Sequence, residues 1–575
     1  MKRDHRASPP RILLAGVFGP YGVDDEYGRK ENIMELFHNQ VTKGQGPISF
    51  RFHHRSFGLY FLAENIDADV TVLDFPSKSR FVRELREGWD AVGISFIAPN
   101  FLKAREMARL TRIHAPGAEI LLGGHGTAIE GVERLIDCDH VVKGEGIRWL
   151  RRHLGQDPAD PISHPVLPST EDQRIFGVPV PGPTAGLLVP GVGCVNGCKF
   201  CATSHFFEKR YVSFLDDGRD LFRTARRISD ELGTDSLFVM DENFLEDRER
   251  ALELLAEMER NERFFDFHIF SSARAIERFG VENLVRLGVD FVWIGFESTS
   301  RRDEFAKNRG IDAAAMVREL RDHGISVLAS GILCMEHHTP DNMQEDIDFL
   351  VGLEADMVQF MLLTSMPVTG LYRDHQARGI LRTDLPYEEW HGQKYLNYRH
   401  PAFDEGEPQR WIERAFGRDF EVNSSSMYRV AETALRGYRT LDAMPDRDAN
   451  LEVRRERLAR RAREYGAMLP GLARHAPSEL ERERARKLSG RIDRELGPPS
   501  VRGRLERRAA ATLMRIWKLR LAMLGDGLQP KTIVTRYRAK ERSEAPSPHG
   551  ETTDEKPLQD TGSPPRAAAC EALRS

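Results

Sequence analysis

Three cysteines stand within eight residues of this chain, in the run Gly-Val-Gly-Cys-Val-Asn-Gly-Cys-Lys-Phe-Cys. They are Cys194, Cys198 and Cys201, and the other three cysteines are scattered singly along the sequence. Three thiolates this close cannot all pair as disulfides, but they can point at one centre if the chain loops around it. The glycines beside them supply the flexible backbone that such a loop needs. The spacing therefore predicts a metal or iron–sulfur site with three protein ligands and one open position.

The composition is typical of a globular protein with several domains, since 40% of the 575 residues are hydrophobic, 30% are charged and the net charge is −5. Six unevenly spaced cysteines do not form a secreted disulfide framework, so we expect a cytoplasmic location. The apolar run over residues 12–18 lacks a signal cleavage site and predicts a buried first strand. No apolar stretch approaches the roughly 20 residues of a membrane span.

Short β-rich runs alternate with helical ones over residues 9–155. This alternation predicts a parallel, doubly wound α/β sheet of the Rossmann type, which binds ligands at the carboxyl ends of its strands. Glycines follow two of these strands, where they serve either as tight turns or as places for a ligand to approach the backbone. The predicted strands are Arg11–Val17, Val70–Asp74, Ala91–Phe96, Glu119–Leu122 and His140–Val142.

Residues 156–183 are predicted to be a linker, and a second series of strands and helices follows over residues 184–385. Six strands with helices between them predict a parallel sheet that curls into a partial (β/α)6 barrel, with its chemistry on the loops after the strands. Cys194 comes directly after the first strand, which places the cysteine loop on that face. The predicted strands are Gly186–Val189, Ser236–Met240, Phe267–Ser271, Phe291–Phe296, Ser326–Leu333 and Met357–Leu363.

Residues 386–542 are predicted to be helical, and their second half is strongly basic. Between Leu451 and Arg542 there are 25 Lys and Arg against 11 Asp and Glu. From Leu505 to Leu524, apolar residues recur at helical spacing with Arg and Lys between them. Such a helix either packs its apolar stripe on the barrel or lies on an anionic membrane surface. Residues 543–575 are rich in Pro, Ser, Glu and Thr and are predicted to be disordered.

The spacing Cys-x3-Cys-x2-Cys, with Phe200 before the last cysteine, resembles the signature of the radical S-adenosylmethionine (SAM) superfamily. The resemblance covers residues 184–375. It implies that the three cysteines hold a 4Fe–4S cluster whose open iron chelates SAM, with Phe200 among the cofactor-binding residues. In that family one electron from the cluster cleaves SAM to a 5′-deoxyadenosyl radical, which abstracts hydrogen from unactivated carbon. The protein then has to position the cofactors and exclude water.

The same resemblance implies SAM-binding residues after the second and third strands. Asp241, Glu242 and Asn243 end the second strand, where the family holds the methionyl amino group. Arg274, after the third strand, would pair with the methionyl carboxylate. The alternative interpretations are that Asp241 and Glu242 are helix N-caps and that Arg274 forms an ion pair on the surface.

Further SAM contacts are implied on the fourth, fifth and sixth strands. Glu297 and Ser298 resemble the segment that contacts the ribose and the carboxylate. Gly331 and residues 361–363 resemble the wall on the adenine side, although Gly331 is equally typical of close packing between a strand and a helix. His337 and His338 follow the fifth strand as candidate metal ligands or a general base, with simple solvation as the plainer interpretation.

The N-terminal region resembles the cobalamin-binding domain that precedes the barrel in one large branch of this superfamily. The resemblance rests on Ser95, on Gly123 and Gly124, and on residues 141–146. It implies cobalamin as a further cofactor. The sequence departs from classical cobalamin enzymes, because the Asp-x-His-x-x-Gly segment that supplies a lower histidine ligand is absent and the loop over residues 19–26 contains no histidine.

Together these resemblances imply methylation of an unactivated carbon in a small-molecule or lipid-like substrate, with an electron donor such as flavodoxin or ferredoxin. Oxidative cyclisation or carbon–carbon coupling fits the same residues. A hypothesis of another class is a non-catalytic zinc or cluster-binding protein, in which His205 would be a fourth zinc ligand. The barrel context favours the cluster, since a zinc knuckle usually stands in a small independent fold. The basic helix suggests peripheral membrane contact, and we expect no nucleic-acid partner.

Overall fold

The computed structural model describes residues 9–19, 40–50, 53–171, 174–175, 178–179, 185–299, 305–524 and 532–539. The predicted tail over residues 543–575 and nearly all of the loop over residues 19–26 lie outside these ranges. Among the described residues, no helix is both long enough and apolar enough to cross a membrane.

The first domain is a parallel sheet with helices on both faces, as the alternating pattern predicted. Its strands are β1 (Arg11–Gly16), β2 (His53–His54), β3 (Asp69–Asp74), β4 (Ala91–Ser95), β5 (Glu119–Gly123) and β6 (His140–Val141). Its helices are α1 (Phe57–Glu64), α2 (Lys78–Leu85), α3 (Phe101–His114), α4 (Val132–Leu135) and α5 (Gly146–His153). The parallel strands stand in the order β3-β1-β4-β5-β6, so the chain order reverses beside β1, as in other doubly wound sheets.

The predicted linker contributes short antiparallel strand pairs. Here β2 pairs with β7 (Thr170–Glu171), and β8 (Arg174–Ile175) pairs with β9 (Val178–Pro179).

The second domain contains the predicted six parallel strands, in the order β10-β13-β14-β15-β16-β17, and a small antiparallel pair of β11 with β12. These strands are β10 (Gly186–Leu188), β11 (Gly191–Val192), β12 (Val212–Ser213), β13 (Ser236–Val239), β14 (Asp266–Phe270), β15 (Val289–Glu297), β16 (Ser326–Leu333) and β17 (Met357–Leu362). The helices are α6 (Ala202–Phe206), α7 (Gly218–Leu232), α8 (Arg248–Arg260), α9 (Ala273–Phe279), α10 (Val281–Leu287), α11 (Ala313–Asp322), α12 (Pro340–Gly352) and α13 (Gly370–Ala377).

Helix α8 shows how the sequence specifies the outer layer of the barrel. The Asp247 side chain accepts a hydrogen bond from the Arg250 amide and caps the first turn. Ala251, Leu254 and Met258 recur at spacings of three and four, so they share one face, and all three are buried in the main core.

The C-terminal region is helical, as predicted, but it ends in a strand. Its helices are α14 (Glu407–Asn423), α15 (Ser426–Asp442), α16 (Ala449–Gly466), α17 (Leu469–His475), α18 (Glu479–Glu495) and α19 (Val501–Leu524), and its strand is β18 (Ile533–Tyr537). Strand β18 pairs antiparallel with β3 and covers that edge of the N-terminal sheet. Arg536 of β18 binds Glu84 at 2.8 Å, which ties the C-terminal segment to α2.

Helix α16 closes the amino-terminal end of the barrel through buried ion pairs. Arg461 binds Asp290, and Arg457 binds Asp266 at 3.3 Å. Arg454 donates a 2.6 Å hydrogen bond to the backbone oxygen of Val289, at the start of β15. Part of the basic surplus of the C-terminal region therefore neutralises acidic residues at the starts of the barrel strands.

Helix α19 packs part of its predicted apolar stripe on the main core, since Trp517 is buried there and Leu513 and Leu521 are partly buried against it. Its buried face contains Ala510, Met514 and Trp517, which contact α17 and the turn over residues 46–48. Leu505 and Ile516 of the predicted stripe are instead exposed. A small residue allows α17 and α19 to approach closely: the position of a Cβ at Gly471 lies 3.1 Å from the Met514 side chain.

We expect Asp290→Asn to lower the free energy of unfolding by about 1.5–3 kcal/mol, because Arg461 would lose its nearest counter-charge in a largely buried site and keep only Asp266 at 3.6 Å. Chemical denaturation of the full chain would measure this. The matched control is Glu506→Gln, which removes the exposed pair with Arg502 and should cost no more than about 0.5 kcal/mol. Equal losses in the two variants would contradict the importance of the α16 contact.

Candidate functional site

The cysteine loop lies at the carboxyl end of β10 and is braced by its own residues. Gly193 has a φ of 93°, and a Cβ there would lie 2.3 Å from the Arg210 backbone oxygen, so only glycine fits. The Ser204 hydroxyl donates to the Cys194 backbone oxygen at 2.7 Å and accepts from the Gly197 amide at 3.0 Å. The loop that carries the thiols is therefore held from α6, which directly follows Cys201.

The three thiols are half-buried, and their surroundings fit a cluster better than a single ion. Burial raises the pKa of all three thiols, that of Cys201 to about 11, so a bound cation is needed to keep them as thiolates. Among the described residues, the triplet is not one of the ligand groups whose donor atoms all lie within 4.8 Å of one another. One tetrahedral zinc would need sulfurs only about 3.8 Å apart. His205, the candidate fourth zinc ligand, forms a hydrogen bond with the Cys198 backbone.

Asp241 lies at the end of β13, where it was predicted, but its carboxylate is already occupied. One oxygen accepts hydrogen bonds from the Tyr211 hydroxyl at 2.7 Å and from Arg250 at 2.9 Å. The other accepts from the Asn243 amide at 3.0 Å. Asp241 and Arg250 are both buried, so this pair fixes the loop to α8. Tyr211 and Arg250 could not be predicted as partners of Asp241, because neither lies in a motif.

Glu242 is the acid of this segment that interacts with the cysteines. Its charge acts on Cys194 and Cys201. Although the residue as a whole is exposed, protein atoms near the carboxyl displace water and, together with the charge of Asp241, raise its pKa to about 7. The Asn243 side chain is used structurally, since its oxygen accepts from the Ser272 amide at 2.8 Å.

Glu297 forms a buried ion pair with Lys307 beside the cysteine loop. The two side chains approach to 2.5 Å, and the Lys307 charge acts on Cys198. Glu297 has a φ of 64° and follows a register shift in the pairing of β15 with β16. A Cβ at Gly295 would lie 2.5 Å from the Glu297 carboxylate, so glycine leaves room for the pair. Lys307 is a site residue that sequence reasoning missed, because it follows no strand directly.

A second network supports Ser298. Burial alone would raise the pKa of Asp346, but hydrogen bonds from His338, Ser298 and the Thr299 amide hold it below its usual value. His338 lies 2.9 Å from Asp346 and is buried, so the interpretation of this residue as solvated is wrong. Gly331 pairs with Glu297 in the sheet, and a Cβ there would lie 2.2 Å from Leu350 of α12, which supports its packing role.

A cavity of about 530 Å³ adjoins the cysteine loop, within the usual range for a small-molecule site. Its lining includes Cys198, Phe200, Lys307, His337 and Leu363. Phe200, predicted to contact a cofactor, packs edge-to-face on Phe305 with ring centroids 6.2 Å apart. Arg274 is exposed in the first turn of α9 and is not part of this lining.

The predicted residues of the N-terminal domain also converge at one edge. Ser95 and Gly123 are paired at the carboxyl ends of β4 and β5, and nothing lies within 4 Å of a Cβ built on Gly123. Gly124 has a φ of 81°, and a Cβ there would lie 2.5 Å from the Phe96 backbone oxygen. The next residue, His125, stacks on Phe206 of α6 with ring centroids 4.5 Å apart. This edge therefore faces the helix that follows the cysteine loop.

A parallel α/β barrel with three thiols on the loop after its first strand defines a class of cluster-binding enzyme domain. The Radical SAM superfamily matches residues 188–350. The match covers less than a third of the 575 residues, and this part of the chain is a radical SAM domain.

Two solved structures of the radical S-adenosylmethionine methyltransferase TsrM from Kitasatospora setae resemble this chain. The structure with cobalamin and a [4Fe-4S] cluster bound has a TM-score of 0.52 and 16% identity, covering 80% of this chain and 100% of that chain. The structure with tryptophan substrate and the SAM analog aza-SAM has a TM-score of 0.49 and 15% identity, covering 79% and 99%. At such identity the first of these establishes the shared fold. A search of curated proteins finds no match.

Glu242 should make the metal-free chain less stable as pH rises. Because folding raises its pKa from 4.5 to about 7, the folded chain retains this proton at pH values where the unfolded chain has lost it. The stability that protonation provides is present below about pH 4.5 and is lost by about pH 7. Relative to the parent, Glu242→Gln should therefore gain stability across this window, as measured by unfolding midpoints at successive pH values.

Asp241→Asn is the contrasting variant, because it leaves Arg250 buried without its counter-charge and should be less stable than the parent throughout. A constant difference between the parent and Glu242→Gln from pH 4.5 to pH 7 would show that Glu242 does not titrate there.

Proposed function

We propose that this chain is a cobalamin-dependent radical SAM enzyme that methylates an unactivated carbon of a small molecule. The single observation that supports this most strongly is the convergence of three thiols, Glu242 and Lys307 from separate loops, with Cys198 and Lys307 lining one cavity. In this proposal Cys194, Cys198 and Cys201 hold a 4Fe–4S cluster, and SAM occupies the adjoining cavity.

Glu242 and Lys307 then take complementary roles toward the two charged groups of an amino acid. Glu242 offers a carboxylate for the SAM amino group, and Lys307 offers an ammonium for the SAM carboxylate. Asp241 and Asn243 act as positioning residues, since their side chains are hydrogen-bonded within the protein. Lys307 suits the carboxylate better than Arg274 does, because Lys307 lines the cavity.

The N-terminal edge supplies the proposed cobalamin site. Open space beside Gly123 allows a large flat ligand to approach closely, and Gly124 lets the chain turn tightly against Phe96. When bound, the cluster and SAM supply a carbon-centred radical on the substrate, and methylcobalamin supplies the methyl group. The substrate would lie between this edge and the barrel, where His125 and Phe206 meet. An electron donor such as flavodoxin or ferredoxin would reduce the cluster.

We expect anaerobic reconstitution with iron and sulfide to give a visible charge-transfer band and the EPR signal of a reduced 4Fe–4S cluster. Addition of reductant and SAM should then yield 5′-deoxyadenosine. Cys198→Ala should lose both the cluster and this product, because the cluster would have two thiolates instead of three. Hydroxocobalamin should remain bound to the parent through gel filtration.

Two further variants separate the roles of Lys307 and Arg274. With the cluster in place, Lys307→Met should weaken SAM binding at least about tenfold, the cost of one lost charged hydrogen bond. Arg274→Met should leave SAM binding unchanged. A full cluster and product in Cys198→Ala would refute the proposed chemistry, and a zinc-loaded protein without the visible band would favour the zinc hypothesis.

We further propose that α19 contacts an anionic membrane surface. Val501, Leu505, Ile516, Leu519 and Met523 lie on one side of the helix, and each is more than half exposed. Exposed basic residues flank this side, namely Arg504, Arg508, Arg515 and Lys518. An apolar face bordered by cations complements lipid acyl chains and phosphate groups.

The full chain should therefore float with vesicles that contain phosphatidylglycerol and not with phosphatidylcholine vesicles, and high salt should release it. The double variant Ile516→Ser, Leu519→Ser should bind at least about tenfold more weakly, since it removes two apolar side chains from the interface. Leu480→Ser, an exposed leucine on α18, is the matched control. Equal flotation of both variants, or none by the parent, would exclude α19 as the contact.

A further inference from the structure

Three metal-ligating side chains meet at the edge of the N-terminal sheet that lies opposite Ser95 and Gly123. Glu119 is the first residue of β5, His140 is the first residue of β6, and His153 is the last residue of α5. The parallel pairing of Leu121 with His140 brings the two strand starts together, and α5 returns His153 to them. Three separate elements of the N-terminal domain therefore supply one of these side chains each.

The distances suit a single ion. The His153 Nε2 atom lies 2.8 Å from the Glu119 carboxylate, and the His140 Nε2 atom lies 3.9 Å from the same oxygen. The three donor atoms all lie within 4.8 Å of one another. Ligands at about 2.0–2.1 Å from a tetrahedral zinc are separated by about 3.4 Å, so small side-chain adjustments would complete the site.

Trp149 fixes the direction of both imidazoles. It precedes His153 by one helical turn, and the two rings stack with centroids 5.0 Å apart and an angle of 12°. His140 packs against the edge of the same indole at 5.6 Å and against His153 at 4.7 Å. His140 and His153 retain only part of their surface in contact with solvent, at 38% and 24% of the side chain. Because these imidazoles are already oriented and half-buried, they lose little conformational entropy when an ion binds.

We propose that Glu119, His140 and His153 form a binding site for a divalent transition-metal ion, with a fourth position for water. Two imidazoles and one carboxylate favour Zn²⁺ over Mg²⁺ or Ca²⁺, which prefer oxygen ligands. The ion would join β6, which is only two residues long, to β5 and α5. Since β6 leads into the loop at Gly144 and Glu145, which borders a groove with Phe206 and Phe207, the ion would stabilise that side of the domain junction.

Zinc binding to the full-length chain tests this site directly. Replacement of Cys194, Cys198 and Cys201 by Ala keeps the thiols from competing, so the result does not depend on the cluster or on the proposed function. In this background, calorimetric titration with Zn²⁺ should show one more ion per chain than in a variant that also carries His140→Ala and His153→Ala. Each single replacement should weaken that ion at least about tenfold, and His114→Ala, outside the cluster, should not.

Two readouts keep the test independent of folding. Far-UV circular dichroism should be unchanged in the variants, and His153→Gln retains a polar side chain if the alanine variant unfolds. Co²⁺ should quench the fluorescence of the nearby Trp149 in the parent but not in the double variant. An unchanged number of bound ions in the double variant, or no zinc binding by the parent, would overturn the proposal.

Discussion

Parallel pairing of the six barrel strands forces every strand-to-helix loop to the same edge, and the whole site depends on this constraint. The cysteine loop follows β10, Glu242 follows β13 and Glu297 ends β15, so residues far apart in sequence meet at this edge. The register still has to be adjusted locally. The irregularity between Gly295 and Glu297 turns the Glu297 carboxylate toward Lys307, next to Cys198. A regular strand would direct the side chains of neighbouring residues to opposite faces of the sheet.

At the opposite edge of the barrel, where the strands begin, contacts fix the open sheet to the C-terminal helices. Asp266 and Asp290 stand at the starts of two strands and bind arginines of α16. Buried pairs of this kind add little net stability compared with apolar contacts, but they exclude other placements of the helix, because each misplaced charge would be buried alone. The basic residues of the C-terminal region thus form two groups. The arginines of α16 bind the starts of the barrel strands, and those exposed on α19 face solvent.

Much of this arrangement could be predicted from the sequence, because it is encoded locally. The three-cysteine spacing and the strand and helix periodicities lie in short windows, and β16 has the predicted bounds Ser326–Leu333. Features that depend on distant partners could not be predicted. Strand β18 is a short β-branched segment in a basic helical region, and only the free edge of β3 selects it. Likewise, Asp241 fits its motif, yet Arg250 and Tyr211 determine that its carboxylate is used for structure.

The ring contact of His125 with Phe206 joins the two domains at the carboxyl ends of their strands. His125 follows the glycine pair at the carboxyl end of β5, and Phe206 ends the helix that begins at Cys201. Burial lowers the pKa of His125 to about 4, so the imidazole is neutral at physiological pH and stacks on the phenyl ring without the cost of a buried charge. The carboxyl edges of both sheets therefore face one another at this contact, and Phe207 adds a second ring 6.1 Å from that of His125. In the function proposed above, a substrate that reacts with groups held at both edges would lie beside these rings, so we propose that substrate specificity arises at the domain junction rather than in either sheet alone.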